Sequence, residues 1–291
     1  MVAPLTPRAA AVRAALWMCG TLVSFSIMAV AIRELSASQG TFQILAWRSI
    51  VGLAVLVPVA LLRGRGLLAT RQLRWQVRRN LVHFLGQAGW TYGIAVLPLT
   101  VVFTLEFTMP AWTALLAVLF LGERLSRGRA LAIAGGIAGV VVILRPDVAL
   151  PDPAALIVLA AAMAYAAAHT MTKQLTRSDG ALAILFWMSA IQLPLGAGVA
   201  LALAGGDWPL PGWVAAPWIA LVGLAALAAH FCLARALKLA DATVVMPLDF
   251  LRLPLIAGVG AVLYGEAPTP AVALGAAIIV LSLAFALRAE R

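Results

Sequence analysis

Two carboxylates stand in runs of residues that otherwise avoid water. Glu106 lies in "TVVFTLEF" (100–107) and Asp249 in "TVVMPLDF" (243–250). A carboxyl group in such surroundings pairs with a cation, shares a proton with a second acid, or binds and releases a proton as its environment changes. Two arginines, Arg48 and Arg252, sit in equally apolar stretches and could supply the cation. Asp249 and Arg252 are spaced to meet on one helix face. Either arginine could lock helices together through an acid or face a ligand, and two acids with two bases balance, which fits a zwitterion better than a strong anion. His83, His169 and His230 fall in three separate segments. No HExxH or Cys/His cluster accompanies them, so no metal or other cofactor is expected. Cys19 and Cys232, both in apolar segments, form no disulfide framework.

The surroundings of these residues are set by composition. Apolar residues make up 64% of the 291, and charged residues 11%. A soluble domain is about 45–50% apolar and about 25% charged. The fold class is therefore all-α integral membrane. The formal charge of +10 does not indicate nucleic acid, because it sits in short connections between apolar runs, as membrane topology requires. The partners expected are the lipid bilayer and a small molecule, with the chain a monomer or weak homodimer.

A helix needs ~20 apolar residues to cross a ~30 Å hydrocarbon core. Ten such runs occur, at roughly 13–33, 40–62, 79–97, 99–121, 128–145, 153–173, 181–204, 213–238, 242–264 and 269–288. Almost all Lys and Arg fall at the termini or in alternate loops, such as Arg63, Arg65, Arg71, Arg74, Arg78 and Arg79 between runs two and three. The opposite side has only Arg33 and Arg145. The positive-inside rule places both termini in the cytoplasm, with the protein in the inner membrane.

The two eight-residue stretches match at an offset of 143, and Gly122-Glu123 matches Gly265-Glu266 at the same offset. Upstream, "ILAWRSIVGL" (44–53) matches "ILFWMSAIQL" (184–193), and Arg33 matches Lys173. The chain thus divides into two five-span units, 1–148 and 149–291. Five is odd, so the second unit enters the membrane from the opposite side. Ten transmembrane helices as two inverted-topology repeats is a secondary-transporter architecture, with its site near midplane between the repeats. At ~1.5 Å per residue, Glu106 lies on the order of 10 Å from the outer end of its span. Asp249 lies as far from the inner end of its own, so the two acids are expected at different depths.

The doubled unit and the stretch "TVVFTLEFTMPAWTALLAVLFLGERLS" resemble the EamA family of the drug/metabolite transporter superfamily over nearly the whole chain. The second copy departs, with "YGEAPT" where the first has Gly-Glu-Arg. The resemblance implies a central cavity lined by spans 1, 3, 4, 6, 8 and 9, with spans 5 and 10 peripheral.

Candidate lining residues follow from helical spacing and the repeat. His83, Gln87 and Trp90 share a face of span 3, and Tyr165 and His169 a face of span 6. Gln87 aligns with His230, and Tyr165 with Phe25. These could line a cavity or serve only as interhelical hydrogen-bond partners. Arg48 has no counterpart, since Met188 occupies its repeat position, which points it toward substrate. Glu123 and Glu266, at span ends, are expected to cap or pair with neighbours. Gly135 and Gly139 form a GxxxG packing surface.

The expected function is secondary transport, most simply export of amino acids or related metabolites by alternating access, with protons as a coupling ion. The alternative is uptake of a cationic or zwitterionic metabolite such as S-adenosylmethionine. No Walker A sequence is present for direct ATP drive. An intramembrane protease would need two carboxylates sharing a proton, and acids at different depths could not do so. The chain is therefore not expected to be an enzyme.

Overall fold

A computed structural model describes residues 7–97, 99–144, 153–208, 210–264 and 270–289. Among the described residues the regular structure is helical throughout. The helices are α1 (Pro7–Leu35), α2 (Thr41–Arg63), α3 (Leu73–Val96), α4 (Leu99–Glu106), α5 (Met109–Leu121) and α6 (Arg127–Leu144) in the first half. The second half holds α7 (Pro153–Leu175), α8 (Ala181–Leu203), α9 (Ala216–Leu239), α10 (Ala242–Val245), α11 (Arg252–Tyr264) and α12 (Pro270–Ala289). A 3-10 segment, Met246–Leu251, joins α10 to α11. Glu266 and Arg145 lie outside the described residues.

Proline opens several of these helices, where its missing N–H costs nothing. Pro7, Pro153 and Pro270 each stand first in theirs. Gly122 follows α5 in the left-handed region at φ 69° and closes that helix, a conformation glycine adopts without penalty.

Among the described residues, five helices are long and apolar enough to cross a membrane: α1, α2, α7, α8 and α9. Helix α3 has the length but is more polar, because Arg79, Asn80, His83 and Gln87 lie on its buried side.

Two of the expected continuous runs are broken. The run 99–121 splits into α4 and α5 at Phe107–Thr108, and 242–264 splits into α10, the 3-10 segment and α11. The cause is local. Pro110 has no N–H to offer the carbonyl of Glu106, and Pro247 and Pro254 withhold theirs from Thr243 and Phe250. Each break therefore falls beside one of the two acids.

Helix α1 packs along α9, α3 along α7, α2 along α8 and α6 along α12. Exchanging the two halves turns the first of these pairs into the second and maps each of the last two onto itself. Small residues allow the close approach. A Cβ on Gly93 of α3 would stand 2.3 Å from Val158 of α7, and one on Gly135 of α6 would stand 2.3 Å from Ser282 of α12. The repeat-matched cations also do one job in each half. Arg33, at the end of α1, donates to the Ile94 carbonyl near the end of α3. Lys173, at the end of α7, donates to the Leu237 and Ala240 carbonyls at the end of α9. Both satisfy carbonyls at a helix C-terminus, where positive charge is favoured.

Candidate functional site

The two broken segments and four long helices enclose a small cavity. It is lined by Phe25 and Met28 of α1, Trp90 of α3, Glu106 of α4, Met109 of α5, Tyr165 and His169 of α7, His230 of α9 and Arg252 of α11. In span terms these are 1, 3, 4, 6, 8 and 9, the set implied by the resemblance. The remaining volume is about 20 Å³, room for about one water. The walls are mostly rings. Phe25 meets His230 edge-on at 5.2 Å, and Tyr165 stacks on His169 at 6.1 Å.

Charge gathers at one end. Arg252 Nη2 donates to Glu106 Oε1 at 2.6 Å and to Asp249 Oδ2 at 2.9 Å. Its guanidinium also lies over the faces of Phe25 (5.2 Å) and Phe107 (5.3 Å), where ring quadrupoles favour a cation. Trp90 Nε1 donates to Glu106 Oε2 at 2.7 Å, so both oxygens of Glu106 are engaged. Asp249 Oδ1 is buried and has no hydrogen-bond partner among the described residues.

This geometry corrects two expectations. The acids are neighbours, since both bond one nitrogen, and do not sit at separate depths. The 3-10 residues up to Asp249, rising ~2.0 Å each rather than ~1.5 Å, carry it slightly further from its end of the span, and the long Arg252 side chain closes the rest. The acids do not share a proton, because the guanidinium lies between them. Arg48, moreover, pairs with neither acid. Its Nη2 donates to Gln87 Oε1 at 2.6 Å and Gln192 Oε1 at 2.7 Å.

A polar column continues behind the cavity. Gln192 Nε2 approaches His83 Nδ1 at 3.0 Å, and the His83 ring lies 4.9 Å from His230 and 5.4 Å from Tyr165. Further along α3, Arg79 is buried, with Nε donating to Thr172 Oγ1 at 3.0 Å and Nη1 to Asn80 Oδ1 at 2.7 Å. Arg79 was expected in a solvent loop; α3 begins earlier than the apolar run and carries it inward. The buried groups in these spans are thus Arg48, Arg79 and Arg252 against Glu106 and Asp249. Among the described residues, the expected balance gives way to an excess of one positive charge.

Of the residues singled out from sequence, Phe25, Trp90, Glu106, Tyr165, His169, His230 and Arg252 line the cavity. Arg48, His83, Gln87 and Asp249 stand directly behind that layer. Sequence reasoning missed Arg79, Asn80 and Gln192. A signal for Gln192 existed, because it stands one helical turn after Met188, the position matching Arg48. Glu123 accepts from the Ala242 and Thr243 backbone N–H groups at 3.0 and 2.9 Å. It caps α10, as a residue at that span end was expected to.

The EamA-like transporter family model matches residues 12–145 and again 152–288. The chain belongs to the EamA-like transporter family. A riboflavin transporter of Rhizobium johnstonii is 33% identical to this EamA protein over 96% of it and 92% of the relative. An S-adenosylmethionine uptake transporter of Rickettsia felis is 27% identical over 94% and 92%. A pseudopaline exporter of Pseudomonas aeruginosa is 26% identical over 89% and 90%. A solved crystal structure superposes with a TM-score of 0.78 at 20% identity, over 96% of this chain and 99% of its own, which speaks for the fold alone. Family and relatives point to a multi-pass membrane transporter of small molecules rather than an enzyme.

Proposed function

We propose that this EamA-like transporter is a secondary carrier for a small metabolite with an aromatic heterocycle, of the kind found in S-adenosylmethionine or riboflavin. It works by alternating access in the inner membrane, with both termini cytoplasmic. Residues 1–148 and 149–291 form two inverted five-span repeats, ten spans in all, and the ring-lined cavity between them is the substrate site. The exchange-symmetric helix packing and the paired caps of Arg33 and Lys173 support the repeat.

The observation that carries the substrate reading is the wall itself. Phe25, Trp90, Tyr165, His169 and His230 make five of its nine lining side chains rings, and both nitrogens of His169 and of His230 are buried without partners among the described residues. A heteroaromatic ring would stack on the former and hydrogen-bond the latter. With room for only about one water, the present form is contracted, and loading requires the broken helices to part.

Amino-acid export, the function expected from the sequence, is the second reading. The pseudopaline exporter among the relatives favours the outward direction.

Asp249 is the coupling acid in this account. One of its oxygens lacks a partner, and Arg252 can keep Glu106 when Asp249 takes a proton. Glu106, fastened by Trp90 and Arg252, stays ionised as the fixed counter-charge.

The test is uptake into proteoliposomes of labelled S-adenosylmethionine, riboflavin and a set of amino acids, with and without a pH gradient. Saturable exchange of a heteroaromatic compound is expected. Transport of amino acids alone would replace the first reading with the second, and transport of none would overturn both.

A further inference from the structure

The buried positive charge is not evenly spent. Arg252 has two carboxylates, whereas Arg48 and Arg79 have none among the described residues. Arg48 is 5% exposed and Arg79 1%. Their partners are neutral: two glutamine oxygens for Arg48, and a threonine hydroxyl and an asparagine oxygen for Arg79. The two guanidiniums belong to one connected cluster. Gln192 accepts from Arg48 and donates toward the Asn80 carbonyl (3.4 Å) and His83 Nδ1 (3.0 Å), while Asn80 accepts from Arg79.

Two like charges held together in a low-dielectric interior repel and are poorly solvated, and removing water from an unpaired cation is expensive. A protein that needed only helix-to-helix glue there could use neutral groups. Two further polar atoms in the cluster are buried and unpartnered, Asn80 Nδ2 and His83 Nε2. The first is a donor, and the second can be one according to tautomer. The set is therefore rich in donors and lacks an anionic acceptor. It also adjoins the proposed substrate cavity through His83, which packs against the lining rings of Tyr165 and His230.

We propose that Arg48 and Arg79 form an anion subsite that binds a carboxylate or phosphate on the transported molecule. The aromatic part lies in the ring-lined cavity beyond His83. The subsite becomes accessible when the contracted cavity opens, and the anionic group then displaces the glutamine and asparagine oxygens from the guanidiniums. Planar guanidinium forks suit either anion, because both can be bonded in a bidentate manner. The inference rests on the reading of the cavity as a substrate site. Within that reading it favours molecules such as S-adenosylmethionine, which carries a carboxylate, over riboflavin, which carries no anionic group.

The experiment uses probes that differ only in the anionic group. One pair is S-adenosylmethionine and its decarboxylated form; the other is riboflavin 5′-phosphate and riboflavin. Purified wild-type protein is titrated with each while its melting temperature is followed at constant ionic strength, and the same compounds are tested by counterflow in proteoliposomes. In at least one pair, the anionic member should bind at least tenfold more tightly. Arg48→Gln and Arg79→Gln should each bring the two members of that pair together, by weakening the anionic member at least tenfold more than its neutral counterpart. Equal binding of both members in both pairs, no binding of any probe, or a preference that survives both substitutions, overturns the proposal. Should a glutamine variant fail to fold, Arg48→Lys and Arg79→Lys, which keep the charge but lose the planar fork, replace it, and the anionic preference should fall in them as well. Binding of anionic probes without counterflow would leave the subsite standing and remove the transport reading instead.

Discussion

At the residue scale, one guanidinium holds two carboxylates, and the consequences of removing each acid differ. Glu106 has a second bond from Trp90, whereas one oxygen of Asp249 has none. Asp249→Asn should fold, because Arg252 keeps Glu106. It should retain substrate exchange and lose pH-driven accumulation. Glu106→Gln should also fold, with Asp249 taking the whole charge of Arg252, but proton release should fail and exchange should slow. The double variant leaves Arg252 buried and unpaired, at a cost of about 3–5 kcal/mol. Expression level and melting temperature of the purified variants, with pH-gradient uptake, check all three. Wild-type pH dependence in Asp249→Asn would exclude it as the coupling acid.

Much of this chemistry was legible in the sequence, because an ionisable residue in an apolar run is conspicuous. Partner choice was not. Pairing Arg48 with one acid and Arg252 with the other conserved charge on paper, but a carboxylate bonds whichever cation the helix breaks bring to it. Arg79 was hidden because an arginine just before an apolar run looks the same whether it faces solvent or the interior.

At the element scale, contact between the halves depends on small residues. Gly86, Gly89 and Gly93 of α3 lie against α7, and an added Cβ on Gly93 would come within 2.3 Å of Val158. Gly93→Val should therefore give little folded protein, while Gly66→Val, where nothing lies within 4 Å of the position, should be tolerated. Equal yields of the two by size-exclusion chromatography would contradict close α3–α7 packing. The α7–α8 turn supplies a second case. Asp179 accepts from Thr70 Oγ1, Gln76 Nε2 (2.9 Å), Ser178 Oγ (3.0 Å) and the Arg71 N–H (3.4 Å). Burial pushes its pKa up, but these hydrogen bonds prevail and hold it below the usual carboxylate range. A lowered folded pKa means that the contribution to stability is complete above pH ~4. It fades as pH falls through the folded value. Asp179→Asn should lower the melting temperature at pH 7, and the gap to wild type should narrow as the pH drops toward 3. A gap constant with pH would remove Asp179 from the account.

The helices themselves were easy to place from apolar runs. Their breaks were less so, although the prolines beside Glu106 and Asp249 were visible. Periodicity reports where a helix is apolar, and says little about where tertiary packing lets the chain leave it.

At the scale of the whole molecule, the proposed orientation with both termini cytoplasmic rests on the asymmetric charge of the loops. Single cysteines placed in the 63–72 loop should react with an impermeant maleimide only from the cytoplasmic side. Cysteines at 36–39, between α1 and α2, should react only from outside. Reversed labelling would invert the topology while leaving the fold intact. The doubled unit, which the family model matches twice, could be read from residues alone, through Trp47 with Trp187 and Arg33 with Lys173. Substrate identity could not, because it depends on how rings and charges from several helices meet.

The central claim is that the ring-lined cavity lies on the substrate path, and His230 tests it most directly. Its ring lines the cavity and both its nitrogens lack partners, so His230→Phe removes polar atoms without stranding any neighbour. The measurement is counterflow of labelled S-adenosylmethionine and riboflavin in proteoliposomes holding equal amounts of wild-type and His230→Phe protein. The prediction is exchange by wild type and at least a tenfold loss in the variant, with its melting temperature unchanged. Equal exchange by the two proteins would contradict the claim.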